Sequence, residues 1–219
     1  MIHSDRLIAG LDFSFRALGT IARHKLENPE TVHVLLANHE LAQVVGAGIV
    51  KDGVKCVDAF NDGLAHAFSD RWEQVALAIA DFIRAMPLAL RCVTPRGDIL
   101  CAHSLPSPHA MQRFDPGILA RELTDDDYTP RSGSAHLMVW GRGYDAEQVE
   151  DLVERWGVNL FILGHEKAPN GYLLIPPCAI VLNSDHERGV YLPIALDSPP
   201  AFTDIPGMVH PLAAVPSGG

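Results

Sequence analysis

Cysteine is scarce in this chain. Four are present, Cys56, Cys92, Cys101 and Cys178, and no two are spaced as Cys-x-x-Cys. A structural zinc site is therefore not expected, and the thiols read as buried, reduced side chains of a cytoplasmic protein. Long apolar runs are also missing. No stretch nears the roughly 18 residues that a membrane-spanning helix needs. The opening Met1-Ile2-His3-Ser4-Asp5-Arg6 has no basic region running into an apolar core, so no signal peptide is expected. Positive charge is in short supply: 17 Lys and Arg face 27 Asp and Glu, a formal net charge of −10. Polynucleotide binding needs a basic surface to displace counterions, so no nucleic-acid polymer and no membrane is expected as a partner. A small anionic substrate stays compatible, because a metal can supply local positive charge. Charged residues are only 20% of the chain and hydrophobic ones 47%, which excludes a disordered chain and lets 219 residues bury a full core. Gly-x-Gly-x-x-Gly, a Walker A lysine and Gly-x-Ser-x-Gly are all absent, which disfavours dinucleotide, P-loop and serine-hydrolase chemistry.

What is present alternates between helical and extended patterns. Phe13, Ala17, Leu18 and Ile21 lie at helical spacing, with Pro29 as a stop. Val32 to Leu36 reads as a short buried strand. Two helical patterns occupy residues 54 to 86. Leu88 to Val93 and Ile99 to Ala102 read as strands, joined into a hairpin by the turn residues Thr94-Pro95-Arg96-Gly97-Asp98. Residues 104 to 134 read as loop with a short helix near Ile118 to Glu122, and Leu137 to Trp140 as a further strand. Asp145 and Gln148 have the spacing of a capping box, Val149, Leu152, Val153 and Trp156 form an apolar face, and Gly157 suits a helix stop. Leu160 to Leu163, Ala179 to Leu182 and Val190 to Leu196 complete the strands. The Pro- and Gly-rich stretch from Ser198 to Gly219 is expected to pack loosely.

Three of these strands end in polar groups of one kind. Val32–Leu36 leads into Asn38-His39-Glu40, Ile99–Ala102 into His103, and Leu160–Leu163 into Gly164-His165. In α/β folds, sites gather where loops converge at the carboxyl ends of strands. Neutral Asn and His donors suit a divalent transition metal. Arg142, flanked by Gly141 and Gly143, is free of bulky neighbours and suits bidentate phosphate contact, although an exposed loop arginine fits equally. The run Asp125-Asp126-Asp127 lacks the spacing of a calcium loop and reads as a solvated acidic turn.

The ordered set Ala37-Asn38-His39-Glu40, Cys101-Ala102-His103-Ser104 and Gly164-His165 resembles the calcineurin-like metallophosphoesterases, in particular their protein-phosphatase branch with bacterial serine/threonine phosphatases. The resemblance runs from about Phe13 to Leu196. It implies an α/β fold of two mixed sheets in a sandwich flanked by helices, with the phosphoesterase domain over residues 1–197 and a tail over 198–219. It also implies two metal ions that activate water for attack on a phosphate monoester. Asn38, His103 and His165 match ligands of one ion, His39 the general acid, and Glu40 a supporting residue; Arg142 is the candidate substrate-binding residue. The substrate would be a phosphoprotein or a small phosphorylated molecule, and the metal Mn, Fe or Zn. The family's Asp-x-His block is absent, and its second block is vestigial at Asp5-Arg6, so at most one ion is expected. The chain reads as a member shortened at its N-terminus and lacking N-terminal strands. The alternative is a catalytically degenerate phosphate- or protein-binding module on the same fold.

Overall fold

A computed structural model describes residues 2–4 and 6–214. The chain divides into two compact units, one of Met1–Pro87 with Tyr128–Arg131 and the other of Leu88–Asp127 with Ser132–Gly219. The first unit is mainly helical. It contains α1 (Phe15–Glu27), α2 (Asn38–Val45), the ribbon of β1 (Val50–Lys51) and β2 (Val54–Lys55), α3 (Cys56–Phe68) and α4 (Trp72–Arg84). Its buried side chains include Leu18, Leu41, Phe60, Leu64 and Ile83. The φ of +64° at Gly46 stops α2 in the left-handed conformation that glycine adopts without steric cost. No helix among the described residues is long and apolar enough to cross a membrane.

Val32–Leu36, expected as a strand, is not one. The Leu36 amide donates to the Pro87 carbonyl at 2.9 Å, but Pro87 has no N–H with which to return the bond, so a ladder cannot propagate. Asn38 consequently opens α2 directly after an extended Ala37.

The second unit is built on a five-stranded mixed sheet. Its strands are β3 (Ala89–Cys92), β4 (Asp98–Ala102), β5 (Val158–Leu163), β6 (Tyr172–Ile175) and β7 (Ala179–Leu182), in the order β3-β4-β5-β7-β6. The expected β3–β4 hairpin is present, and β4, β5 and β7 run parallel in the centre. The architecture is α/β, as expected; among the described residues the other strands form two-stranded ribbons, the second pairing β8 (Val190–Tyr191) with β9 (His210–Pro211). One sheet face buries Ile99, Leu160 and Ile180 around Ile205. Ile205 lies on a 3₁₀ turn, Phe202–Met208, within the stretch expected to pack loosely, and it is wholly buried. Residues 215–219 of that stretch lie outside the described residues. The strand expected over Val190–Leu196 is only two residues long.

Two helices complete this unit. In α6 (Ala146–Trp156) the Asp145 carboxylate accepts from the Gln148 amide at 2.8 Å, and Gly157 ends the helix at φ +61°. The capping box is half made, because the Gln148 side chain donates to the Pro106 carbonyl rather than back to the cap. Val149, Leu152 and Trp156 are buried, with the Trp156 ring edge-on to Phe161 of β5 at 6.0 Å. Residues 137–140, expected as a strand, instead belong to α5 (Ser134–Val139) and its cap. A short apolar run buried on all sides carries no period that separates strand from helix, and Ala135, Leu137, Met138 and Val139 are all buried. In the acidic turn Asp125 and Asp126 are exposed as expected, but Asp127 is not. Asp127 is buried and held by both ends of Arg121, at 2.7 and 2.8 Å, which keeps its carboxyl low, at about 2. No disulfide links the cysteines. Burial pushes the Cys101 thiol up to about 12 and that of Cys178 to about 11, so both are protonated and unreactive.

Candidate functional site

The second unit brings His103 and His165 together, and strand register explains why. Strands β4 and β5 are parallel neighbours whose last residues pair, Ala102 with Leu163. The next residues of both strands therefore leave the sheet side by side. The Gly164 amide donates to the His103 carbonyl at 3.0 Å, closing the two exits onto each other. His103 Nε2 then lies 2.9 Å from His165 Nδ1, with the rings edge to face. His165 sits at φ +69°, a left-handed conformation that costs a residue with a Cβ about 1 kcal/mol.

A loop fastened to this turn carries Arg142. The Gly143 amide donates to Glu166 Oε1 at 3.0 Å, and the Tyr144 hydroxyl donates to the Gly141 carbonyl at 2.9 Å while accepting from the Leu105 amide. Arg142 is exposed and follows α5 rather than the expected strand. Trp140, at the end of α5, stacks on His136 and presents its ring edge-on to His165 at 6.3 Å. Glu166 and Tyr144 match no motif in the sequence. Their proximity to Gly164-His165 and Gly141-Arg142-Gly143 is the signal that was available.

The first unit holds the other candidates on α2. Asn38 and Glu40 are buried, and Glu40 Oε1 accepts the Ile2 amide at 3.2 Å. His39 Nδ1 lies 3.0 Å from His3 Nδ1. His3 Nε2 lies 3.0 Å from Gln43 Oε1, and Gln43 Nε2 donates to Asn61 Oδ1 at 2.8 Å. His3 is buried against the edge of Phe60, and the charge of the buried Asp12 reaches it. Neither His3, Gln43 nor Asp12 was a candidate from sequence, because they match no motif.

Burial lowers the pKa of His39 to about 4, helped by the neighbouring His3 and opposed by Glu40. Burial lowers that of His3 too, against Gln43, Asp12 and Glu40. Both folded values lie below the ordinary 6.5, so the unfolded chain takes up protons first as the pH drops. The stability tied to these rings is fully present above pH 6.5 and is lost as the pH falls from 6.5 toward about 4. Melting temperatures measured from pH 8 to 4.5 are expected to hold level above 6.5 and then fall, less steeply in His39→Ala.

The strain at His165 has its own test. His165→Ala and His165→Gly both lose the ring, but only alanine keeps the strained Cβ at φ +69°. The glycine variant is expected to be more stable than the alanine variant by about 1 kcal/mol, roughly 2–4 °C in melting temperature.

A metal can be weighed against this geometry. Two imidazole nitrogens each about 2.0–2.1 Å from one ion, at a right angle, sit about 2.9 Å apart. At 2.9 Å the His103 and His165 nitrogens are hydrogen-bonded to each other, a separation that matches a right-angled edge of an octahedral shell rather than the roughly 3.3 Å of a tetrahedral zinc site. Among the described residues no group of three or more His, Cys, Asp or Glu side chains converges on such a point. The donors described do not fit a two-ion centre with a bridging carboxylate.

No family model matches the chain, and no curated protein matches it. Among solved structures the chain is similar to a protein serine/threonine phosphatase from Saccharomyces cerevisiae with similarity to human phosphatase PP5, with a TM-score of 0.56 and 14% identity. The match covers 81% of this chain and 57% of that one, so the chain spans little more than half of the phosphatase's length. At that identity the likeness is one of fold alone.

Proposed function

We propose that this protein is a metal-dependent phosphoesterase acting on phosphate monoesters, borne by a protein or by a small molecule. The reading rests on His103 Nε2 and His165 Nδ1, 2.9 Å apart at the ends of two neighbouring parallel strands. These two would hold one manganese, iron or zinc ion as neutral donors. When bound, such an ion neutralises phosphoryl charge and lowers the pKa of water. Arg142 would meet the phosphate with paired N–H donors. In the first unit His39 is the proposed proton donor, and Glu40 supports it by tying residue 2 to α2. With a pKa near 4 the His39 ring is neutral at pH 7, and its donating form grows about tenfold for each pH unit toward the acid side. The phosphatase fold of the structural neighbour supports this assignment.

A second reading is favoured by the lack of converging carboxylates among the described residues. On it the protein binds phosphate without turning it over. The two separate in one experiment, with para-nitrophenyl phosphate as substrate and Mn or Zn supplied in turn. Turnover that His39→Ala abolishes supports the enzyme. Saturable binding of inorganic phosphate by calorimetry, with no turnover under either metal, supports the binding module.

A further inference from the structure

The histidine at position 3 has no part in the motifs, yet both its backbone and its ring are fixed by hydrogen bonds. Its backbone is left-handed at φ +63°. It is only 5% exposed. Its amide donates to Ser14 Oγ at 3.1 Å. Asp12 clamps the same turn from both sides, accepting the Ser4 amide at 3.0 Å and the Ser14 amide at 2.7 Å. The Ile2 amide is fixed to Glu40. A strained, buried loop residue secured by this many bonds points to a role, because strain persists only where the surroundings impose it.

The direction of the hydrogen bonds says what that role is. Gln43 Nε2 donates to Asn61, so Gln43 turns its carbonyl oxygen to His3. An oxygen can only accept, so His3 Nε2 carries the proton. In a neutral ring the other nitrogen is then an acceptor, and His3 Nδ1 faces His39 Nδ1 at 3.0 Å. The proton between them therefore belongs to His39. We propose that His3 is a positioning residue for His39: by accepting its Nδ1 proton, with Gln43 and Asn61 fixing the polarity, His3 holds the ring in one orientation and one tautomer. The Nε2 of His39 is the nitrogen left for proton exchange. On this scheme Asn61, Gln43, His3 and His39 form one line of donors and acceptors across α3, the residues before α1, and α2. The inference rests on the proposed acid role of His39 for its catalytic meaning, but not for its geometry.

The test reads the tautomer directly. The full chain, labelled with ¹⁵N-histidine, is examined at pH 8 by long-range ¹H–¹⁵N correlation. His39 is expected with its proton on Nδ1. In His3→Phe it is expected to shift largely to Nε2, whereas His3→Asn, whose amide oxygen can stand where Nδ1 stood, keeps it on Nδ1. Gln43→Leu, which leaves His3 in place, is expected to give a mixture. A wild-type His39 protonated on Nε2 would overturn the proposal, as would a tautomer unmoved in both His3→Phe and Gln43→Leu. Where the wild type hydrolyses para-nitrophenyl phosphate, His3→Phe is expected to lower kcat by at least about tenfold with KM unchanged, and His3→Asn to restore most of it. Absence of wild-type turnover would count against the phosphoesterase reading and leave the tautomer result to decide the role of His3.

Discussion

Gly141→Ala is expected to destabilise the second unit by about 3 kcal/mol or more, enough to lower its melting temperature by roughly 6–12 °C or to prevent folding at 37 °C. The cause is steric. A Cβ at this position would lie 2.7 Å from the Leu105 carbonyl carbon and 2.8 Å from that of Pro106, and closer still to the Leu105 carbonyl oxygen. Backbone cannot retreat here, because Tyr144 bonds to both the Leu105 amide and the Gly141 carbonyl and holds the two segments together. Thermal melts would compare this variant with Gly48→Ala. A Cβ at Gly48 meets nothing within 4 Å, so that change is expected to be near neutral. Equal melting temperatures for the two would show that the 105–106 segment yields freely.

On the proposed metal-dependent reading, His165→Ala is expected to lower hydrolysis by a factor of at least about a hundred, together with a loss of zinc or manganese retention. His103→Ala should match it, since each ring supplies one nitrogen to the same 2.9 Å pair. The double variant should be no worse than either single one, because a lone imidazole holds an ion poorly. Metal content per chain after removal of excess ion, measured beside the rate, checks this. Hydrolysis that survives in both single variants would place the chemistry elsewhere in the protein.

Much of the second unit was legible from sequence because its signals are local. The capping carboxylate of Asp145, the apolar spacing of Val149, Leu152 and Trp156, and the stop at Gly157 specify α6 from its own residues and its two caps. The turn from Thr94 to Asp98 specifies the β3–β4 hairpin. His103 and His165 could be paired because both follow strands, although their adjacency depends on β4 and β5 being parallel neighbours, which no local pattern encodes. The misreadings share a cause. Whether Val32–Leu36 forms a strand depends on a partner, and the partner is a proline. Whether 137–140 is strand or helix depends on burial from every side. His3 escaped notice for a related reason: its importance lies in contacts with residues 36 and 40 positions away, and those arise only when α2 folds beneath it.

The place of Ile205 bears on how the protein is made. Its side chain fills the space among Ile99, Leu160 and Ile180, yet it follows every strand of the five-stranded sheet in the chain. During synthesis those strands are made before the residue that seals one of their faces. The sheet face therefore stays open after its strands pair until residues 202–208 dock on it, and in that interval it is exposed to chaperones or to aggregation.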